Sequence, residues 1–188
     1  MGIDLICNNK TFSCSYGFWN TIRTEVIIAT SEYLNSLNSR ELEEGTFPFV
    51  ARENIIGFMN ELISYKNKKE DVDDVSTQGN YGSVSEEEEG EIPLISLFLG
   101  NCSLQILDLL IYFSIGGLYA FCNKSDCEGY YSIGNSYDIV ELLNLIKPYT
   151  LRNNENLDSQ ENEIYKCICK IQEIFEESVN DKLFVIIS

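Results

Sequence analysis

The stretch from Ile92 to Cys122 constrains the fold of this chain more than any other feature, because Asp108 is its only charged residue. A membrane span is disfavoured by length: the uncharged parts on either side of Asp108 hold about 14 to 16 residues, and a spanning helix needs about 20. Gly100-Asn101 and Gly116-Gly117 also interrupt these parts. We therefore expect core elements here, namely helices at Pro93–Leu99 and Ser103–Phe113 and a strand at Leu118–Cys122.

Short β-rich runs predict the remaining strands. Ile3–Cys7 and Thr11–Ser15 flank Asn8-Asn9-Lys10, a sequence typical of a hairpin turn. Two further units are predicted: a second hairpin, in which the polar loop Asn123–Gly129 joins Leu118–Cys122 to Tyr130–Ile133, and a buried C-terminal strand at Leu183–Ile187.

Apolar residues at helical spacing predict the other helices. From Gly17 to Leu37, Trp19, Ile22 and Val26 form a stripe that would face a core. Two further helices are expected at Ala51–Lys66 and at Glu163–Val179. Another should begin at Asp138, which has capping-box spacing to Glu141, and end at Pro148.

These elements predict a single α+β domain over residues 1–188, with two β-hairpins plus a C-terminal strand packed with four to six helices. Residues 67–91 have almost no apolar side chain, and we interpret them as a disordered acidic insertion. Residues 150–162 are expected to form a polar linker.

The formal charge of −17, from 30 acidic and 13 basic residues, argues against nucleic acid as a partner. A phosphate backbone is bound through Lys and Arg, and this surface would repel it. An anionic membrane is disfavoured for the same reason. A basic protein partner is favoured electrostatically.

The absence of histidine excludes Ser-His-Asp and Cys-His nucleophile pairs and the usual His-containing zinc sites. Seven cysteines are an odd number, and the start Met1-Gly2-Ile3-Asp4 lacks the basic region of a signal peptide. We therefore expect free thiols and a cytoplasmic location.

A four-thiolate zinc site can be drawn from Cys7, Cys14, Cys122 and Cys127, but no pair has the two-residue spacing of zinc knuckles. Buried thiols are the alternative, and we expect no metal and no cofactor. Asp126 and Glu128 supply oxygen donors that suit a hard cation. They also fit a plain polar turn that ends at Gly129.

Three segments resemble an uncharacterised group of bacterial and phage proteins. They are Met1-Gly2-Ile3-Asp4-Leu5, then Ser15-Tyr16-Gly17-Phe18-Trp19-Asn20 with Arg23, and Ser125-Asp126-Cys127-Glu128-Gly129. That group has an MGLDI strand, a SYSGYNxWR-like segment and a FSDCEG-like turn, in the same order. Lys124 departs from its pattern of an aromatic residue or His. The resemblance implies a related fold and no known function, and high Asn, Ile, Lys and Tyr usage would also suit a large DNA virus.

Combined with the predicted fold, the resemblance suggests a site. Asp4, Tyr16, Arg23 and the turn with Asp126 and Glu128 would converge near one end of the sheet, with Arg23 paired to a carboxylate. We predict binding residues at Tyr16, Trp19, Arg23, Asp126 and Glu128.

Two function hypotheses follow. The first is a non-enzymatic intracellular protein-binding or regulatory protein, viral or phage-encoded, that engages a protein partner. The alternative is a small carboxylate-based or divalent-metal-assisted hydrolase centred on Asp126 and Glu128.

Overall fold

The computed structural model describes residues 2–37, 44–75, 94–123, 129–150 and 160–188, and it confirms the α+β class. Some of the described helices pack against a four-stranded antiparallel sheet, and the others pack on neighbouring helices. In chain order the elements are β1 (Gly2–Cys7), β2 (Lys10–Ser15), α1 (Tyr16–Ser36), α2 (Phe47–Val75), α3 (Leu94–Asn101), α4 (Leu104–Tyr112), α5 (Gly117–Asn123), β3 (Gly129–Tyr131), α6 (Ile133–Ile146), a 3-10 turn (Lys147–Tyr149), α7 (Gln160–Asp181) and β4 (Val185–Ile187).

The strand order is β2-β1-β4-β3, and every neighbouring pair is antiparallel. The first predicted hairpin is confirmed: β1 and β2 pair from Gly2 with Ser15 to Cys7 with Lys10. Asn8 adopts a φ of 52°, a conformation that Asn tolerates better than most residues. The predicted C-terminal strand is also confirmed, and it is central in the sheet because it pairs with both β1 and β3.

The second predicted hairpin is wrong. Leu118–Cys122 lies within helix α5, and β3 pairs with β4 instead. A short, wholly apolar run has no periodicity that separates a buried strand from a buried helix. The α5 run packs against α6, with Leu118, Phe121 and Cys122 buried.

The start of α6 also corrects the sequence analysis. Asp138 and Glu141 lie inside the helix, which begins at Ile133 and is capped by Ser132. The Ser132 hydroxyl accepts from the Asn135 N–H at 3.1 Å, and the Asn135 side chain accepts from the Ser132 N–H at 3.3 Å. Asn135 therefore takes the place usually held by Glu or Gln in such a box.

Helix α2 extends to Val75, so residues 67–75 of the proposed acidic insertion are helical. The rest of that insertion and residues 151–159 of the proposed linker lie outside the described residues. Their interpretation stays a prediction.

The core lies between the sheet and the helices. Ile3, Leu5 and Cys7 on β1 point into it, as do Val185 and Ile187 on β4. Aromatic rings join the layers: Phe121 of α5 lies 5.2 Å from Trp19 of α1, and Phe175 of α7 lies 5.0 Å from Tyr131 of β3, between ring centroids. The predicted stripe on α7 is confirmed by the burial of Ile164, Ile168, Ile171 and Phe175.

Within the described ranges, no single helix has the length and apolar character needed to cross a membrane. Helices α3 and α4 meet the length and composition criteria only as a pair, and they are bent by 102° relative to each other.

Candidate functional site

The outer face of the sheet, opposite the helices, exposes a row of apolar side chains across three strands. Ile186 of β4 pairs with Ile6 of β1 on one side and with Tyr130 of β3 on the other. Because side chains alternate along a strand, Ile186 points outward while Val185 and Ile187 point into the core. Ile186 is 51% exposed and Tyr130 57% exposed. This row is unusual for a soluble sheet, whose outer face is normally polar.

Phe184 and Leu183 extend the row beyond the start of β4. The Phe184 ring is 55% exposed and lies 5.1 Å from the Tyr130 ring, between centroids. A shallow groove of about 580 Å³ runs over these side chains, lined by Ile6, Asn8, Gly129, Tyr130, Leu183, Phe184 and Ile186. We call this surface the open face.

The chain reversal between α7 and β4 positions Phe184. Lys182 ends the helix with a φ of 56°, in the left-handed region used at helix C-termini. The Leu183 N–H donates to the Ser178 carbonyl at 3.1 Å, and the buried Ser178 hydroxyl donates to the Leu183 carbonyl. These bonds fix the residues on both sides of the reversal, so the apolar side chains are held on a rigid support.

One end of the open face is acidic. The Asn8 amide at the hairpin turn donates to Glu177 at 3.0 Å and to Asp181 at 3.4 Å. Lys10 lies 3.3 Å from Glu177 and also donates to the Glu173 carbonyl. The end of the groove at Asn8 therefore holds two carboxylates, those of Glu177 and Asp181, in a chain whose formal net charge is −17.

Three of the residues predicted from the sequence, Tyr16, Trp19 and Arg23, are on α1 and do not line the groove of the open face. Trp19 is 1% and Arg23 3% exposed, so neither side chain reaches a partner at the surface, while Tyr16 at the start of α1 is partly exposed. Asp126 and Glu128 lie outside the described residues, so their roles in binding or in a hydrolase stay predictions. Asp4 is on β1 and bonds through its backbone to Ser188.

Arg23 is a structural link between α1 and α5. Its guanidinium donates to the Cys122 carbonyl at 3.1 Å and to the Asn20 side chain, and it lies over the Trp19 ring at 5.8 Å from the centroid. Trp19 and Arg23 are thus brought to the end of α5, which leads into residues 124–128. The convergence of α1 with that segment and the carboxylate predicted to pair with Arg23 both stay predictions.

The zinc site drawn from the sequence does not form as a hairpin site. Cys7 pairs with Lys10 and Cys14 with Ile3, so the two thiols lie four residues apart along the hairpin, a separation of about 13 Å. The six cysteines within the described ranges are free thiols, and no group of three or more potential ligands occurs in those ranges. Cys127 lies outside them.

Burial, the main cause, raises the pKa of the Cys122 thiol to about 12, although the nearby Arg23 charge acts in the opposite direction. Burial also raises the pKa of Cys14 and of Cys102 to about 11 each. These thiols are therefore neutral at physiological pH, which makes them poor nucleophiles.

We expect Cys122 to resist alkylation in the folded protein. At pH 8 its thiolate fraction is about a thousandfold lower than for a thiol with the ordinary pKa of 9.0, even before burial limits access. Iodoacetamide labelling followed by mass spectrometry checks this, with the urea-unfolded protein as the fully reactive control. Rapid labelling of Cys122 without unfolding would show that α5 opens from the core.

A second group of exposed apolar side chains lies where α2 and α4 meet, with the Phe47 and Tyr112 rings 5.4 Å apart between centroids. Leu104 and Ile111 on α4 are also exposed. Nothing in the described part of the chain shows what covers this group, and it serves below as a control surface.

Comparisons of the chain with protein-family models, with curated proteins and with solved structures give no match. The candidate site is therefore interpreted from its own chemistry.

The open face does not follow from the sequence. Leu183–Ile187 is apolar throughout, a pattern that predicts burial on both faces of the strand. Tyr130 and Ile186 are both apolar and lie opposite each other on the outer face. This can be recognised only once β3 is known to pair with β4.

Proposed function

We propose that this chain is a non-enzymatic intracellular protein-binding protein whose open face docks a basic protein partner. The observation that carries the proposal is the exposure of Phe184 and Ile186 on a sheet face that no described helix covers. Large apolar and aromatic side chains that are exposed together on a rigid support are typical of the centre of a protein interface.

The energetics favour a partner. Burying a Phe or Ile side chain from water contributes about 1.5 to 3 kcal/mol, so Phe184 and Ile186 together could supply a substantial part of a micromolar affinity. The acidic end of the groove would pair with Lys or Arg at the rim of the interface. Rim charges of this kind act mainly on the association rate and make it sensitive to salt.

The compartment and origin belong to the same proposal. Free, protonated thiols suit a reducing cytoplasm. A viral or phage source rests on the resemblance of the three short segments and on the amino-acid usage alone.

Selection of displayed random peptides on the immobilised protein tests the docking surface. We expect enriched peptides to combine a large apolar residue with Lys or Arg, and to lose about tenfold or more in affinity for Phe184→Ser and Ile186→Thr. The matched control is Leu104→Ser, which removes a similarly exposed apolar side chain from α4. It should leave binding unchanged.

Two results would contradict the proposal. One is a set of selected peptides that bind Phe184→Ser and Ile186→Thr as well as they bind the unaltered protein. The other is a dimer in sedimentation velocity that Ile186→Thr converts to a monomer, which would show that a second copy occupies the open face.

A further inference from the structure

The free edge of β2 is a second feature of the sheet with unused bonding capacity. In a hairpin with a two-residue turn, the two residues next to the turn form both backbone hydrogen bonds with each other. Every second pair beyond them does the same. Cys7 with Lys10 is that pair, so Phe12 and Cys14 also bond to β1. Asp4, which lies between these positions on β1, bonds instead to Ser188 on the β4 side.

It follows that Thr11 and Ser13 direct their N–H and C=O groups away from β1. Both residues are exposed, and no hydrogen bond within the described part of the chain reaches these backbone groups. Natural edge strands are commonly protected by proline, bulges or outward charges. β2 has none of these between Thr11 and Ser15.

A groove of about 410 Å³ runs along this edge, with α7 as its other wall. Glu163, Cys167 and Lys170 line it at helical spacing, and Phe18 lies at one end. α7 runs antiparallel to β2, because Lys10 contacts Glu173 and Glu177 near the end of the helix. Glu163 is therefore on the side of Cys14, and Lys170 is on the side of Phe12.

These two observations indicate an extended polypeptide as the occupant. Backbone donors and acceptors that alternate along a strand edge are complemented by another strand, and the adjoining groove receives every second side chain of that strand. A second copy of the chain is disfavoured, because each copy carries a formal charge of −17. A segment from a positively charged partner is favoured for the same reason.

We propose that an extended segment of a basic partner protein adds to the edge of β2 as a fifth, antiparallel strand. Its residues opposite Cys14 and Phe12 place their side chains in the groove, where Glu163 selects Lys or Arg and Lys170 selects an acidic or amide side chain. Because the added strand runs antiparallel to β2, the preferred order along the partner is Lys-x-Asp, and the reverse order is disfavoured.

This inference goes beyond the open face, and the two proposals fail independently. Phe184 and Ile186 lie on or just before β4, in the centre of the sheet. Thr11 and Ser13 lie on β2, an edge strand that β1 separates from β4. Variants on one surface leave the other intact.

Two short capped peptides of identical composition provide the probe. Both carry Arg at each end and Thr elsewhere, and they differ only in a central Lys-Thr-Asp or Asp-Thr-Lys. We expect the first to bind with about tenfold higher affinity in an NMR titration, and to slow amide exchange at Thr11 and Ser13. The charge exchange Glu163→Lys with Lys170→Glu should reverse the preference, and Glu163→Lys alone should abolish it.

Ser13→Pro provides the decisive variant. It removes an N–H that β1 does not use and places a ring at the edge, so the hairpin is retained while strand addition is blocked. We expect binding to fall about tenfold or more, whereas Ser13→Ala, which keeps the N–H, should bind as the unaltered protein does. Far-UV circular dichroism checks folding. If Ser13→Pro does not fold, the reversal by the Glu163→Lys, Lys170→Glu exchange on the exposed helix surface decides.

The proposal is overturned if neither peptide binds, if both bind equally, or if Ser13→Pro binds as well as Ser13→Ala. Slow amide exchange at Thr11 and Ser13 in the protein without peptide would also overturn it, because the edge would then be covered by the chain itself.

Discussion

Gly117→Ala is expected to lower the free energy of unfolding by about 3 kcal/mol or more. Gly117 lies at the start of α5, where the helix crosses α6. A Cβ at this position would overlap the Asp138 carbonyl group, and it would lie 2.5 Å from the carbonyl carbon and 2.8 Å from the Ile139 nitrogen. Both groups belong to the α6 backbone, so neither can move without displacing the helix.

Gly57→Ala is the matched control, since Gly57 is an exposed helical glycine with no atom near the position of an added Cβ. It should raise stability by about 0.5 to 1 kcal/mol, because alanine loses less conformational entropy in a helix. Urea unfolding followed by circular dichroism measures both variants. If Gly117→Ala were as stable as Gly57→Ala, the backbones of α5 and α6 could not be in contact.

Arg23→Met is expected to cost about 3 kcal/mol. The change leaves the buried carbonyl of Cys122 and the Asn20 side chain without the donor they now have, and hydrogen bonds to a charged group are each worth about 1.5 to 3 kcal/mol. The stability of Arg23→Lys should lie between those of Arg23→Met and the unaltered protein. An ammonium group keeps the charge but cannot donate in two directions from a planar fork.

The same unfolding measurement tests the structural role of Arg23. Replacing a buried charged group by an apolar one of similar size is neutral or stabilising in some proteins. If Arg23→Met proved as stable as the unaltered protein, the structural role would be contradicted. The hydrogen bonds of Arg23 to Cys122 and Asn20 would then contribute no net stability.

The elements with a clear period could be predicted from the sequence. The first hairpin has a turn sequence between two β-rich runs, and helix α1 has an apolar stripe of 3.6-residue period, so local physics determines both. The observed bounds of α1, Tyr16–Ser36, differ from the prediction by one residue at each end.

The elements that failed depend on distant contacts. Leu118–Cys122 is helical because α6 covers it, and Gly117, which resembles a helix breaker in the sequence, allows that contact. β3 has three residues and gains its strand conformation from β4, more than fifty positions later in the chain. No local pattern carries this information.

For the candidate site, the sequence gives the sign of the net charge but does not predict the surface, and a basic protein partner stays a proposal. Trp19 and Arg23 were singled out by the resemblance, and they are buried together at the Cys122 end of α5. Phe184 and Ile186 sat within a run that looked wholly buried. Which side of a strand is covered depends on where the helices pack, and this follows from the tertiary structure alone.

The position of β4 in the centre of the sheet has a consequence for how the protein reaches its fold. Leu5 pairs with Ile187 across nearly the whole length of the chain, and β3 joins the hairpin only through β4. During synthesis, the helices and the first hairpin can form as they emerge, but the sheet cannot close until residues 185–187 have left the ribosome. Strand pairing between residues so far apart in the chain is slow. Until it occurs, the edge of β1 that bonds to β4 has no neighbouring strand. A nascent chain would therefore expose the edge of β1 that β4 covers until residues 185–187 pair with it, and chaperones would act in that interval.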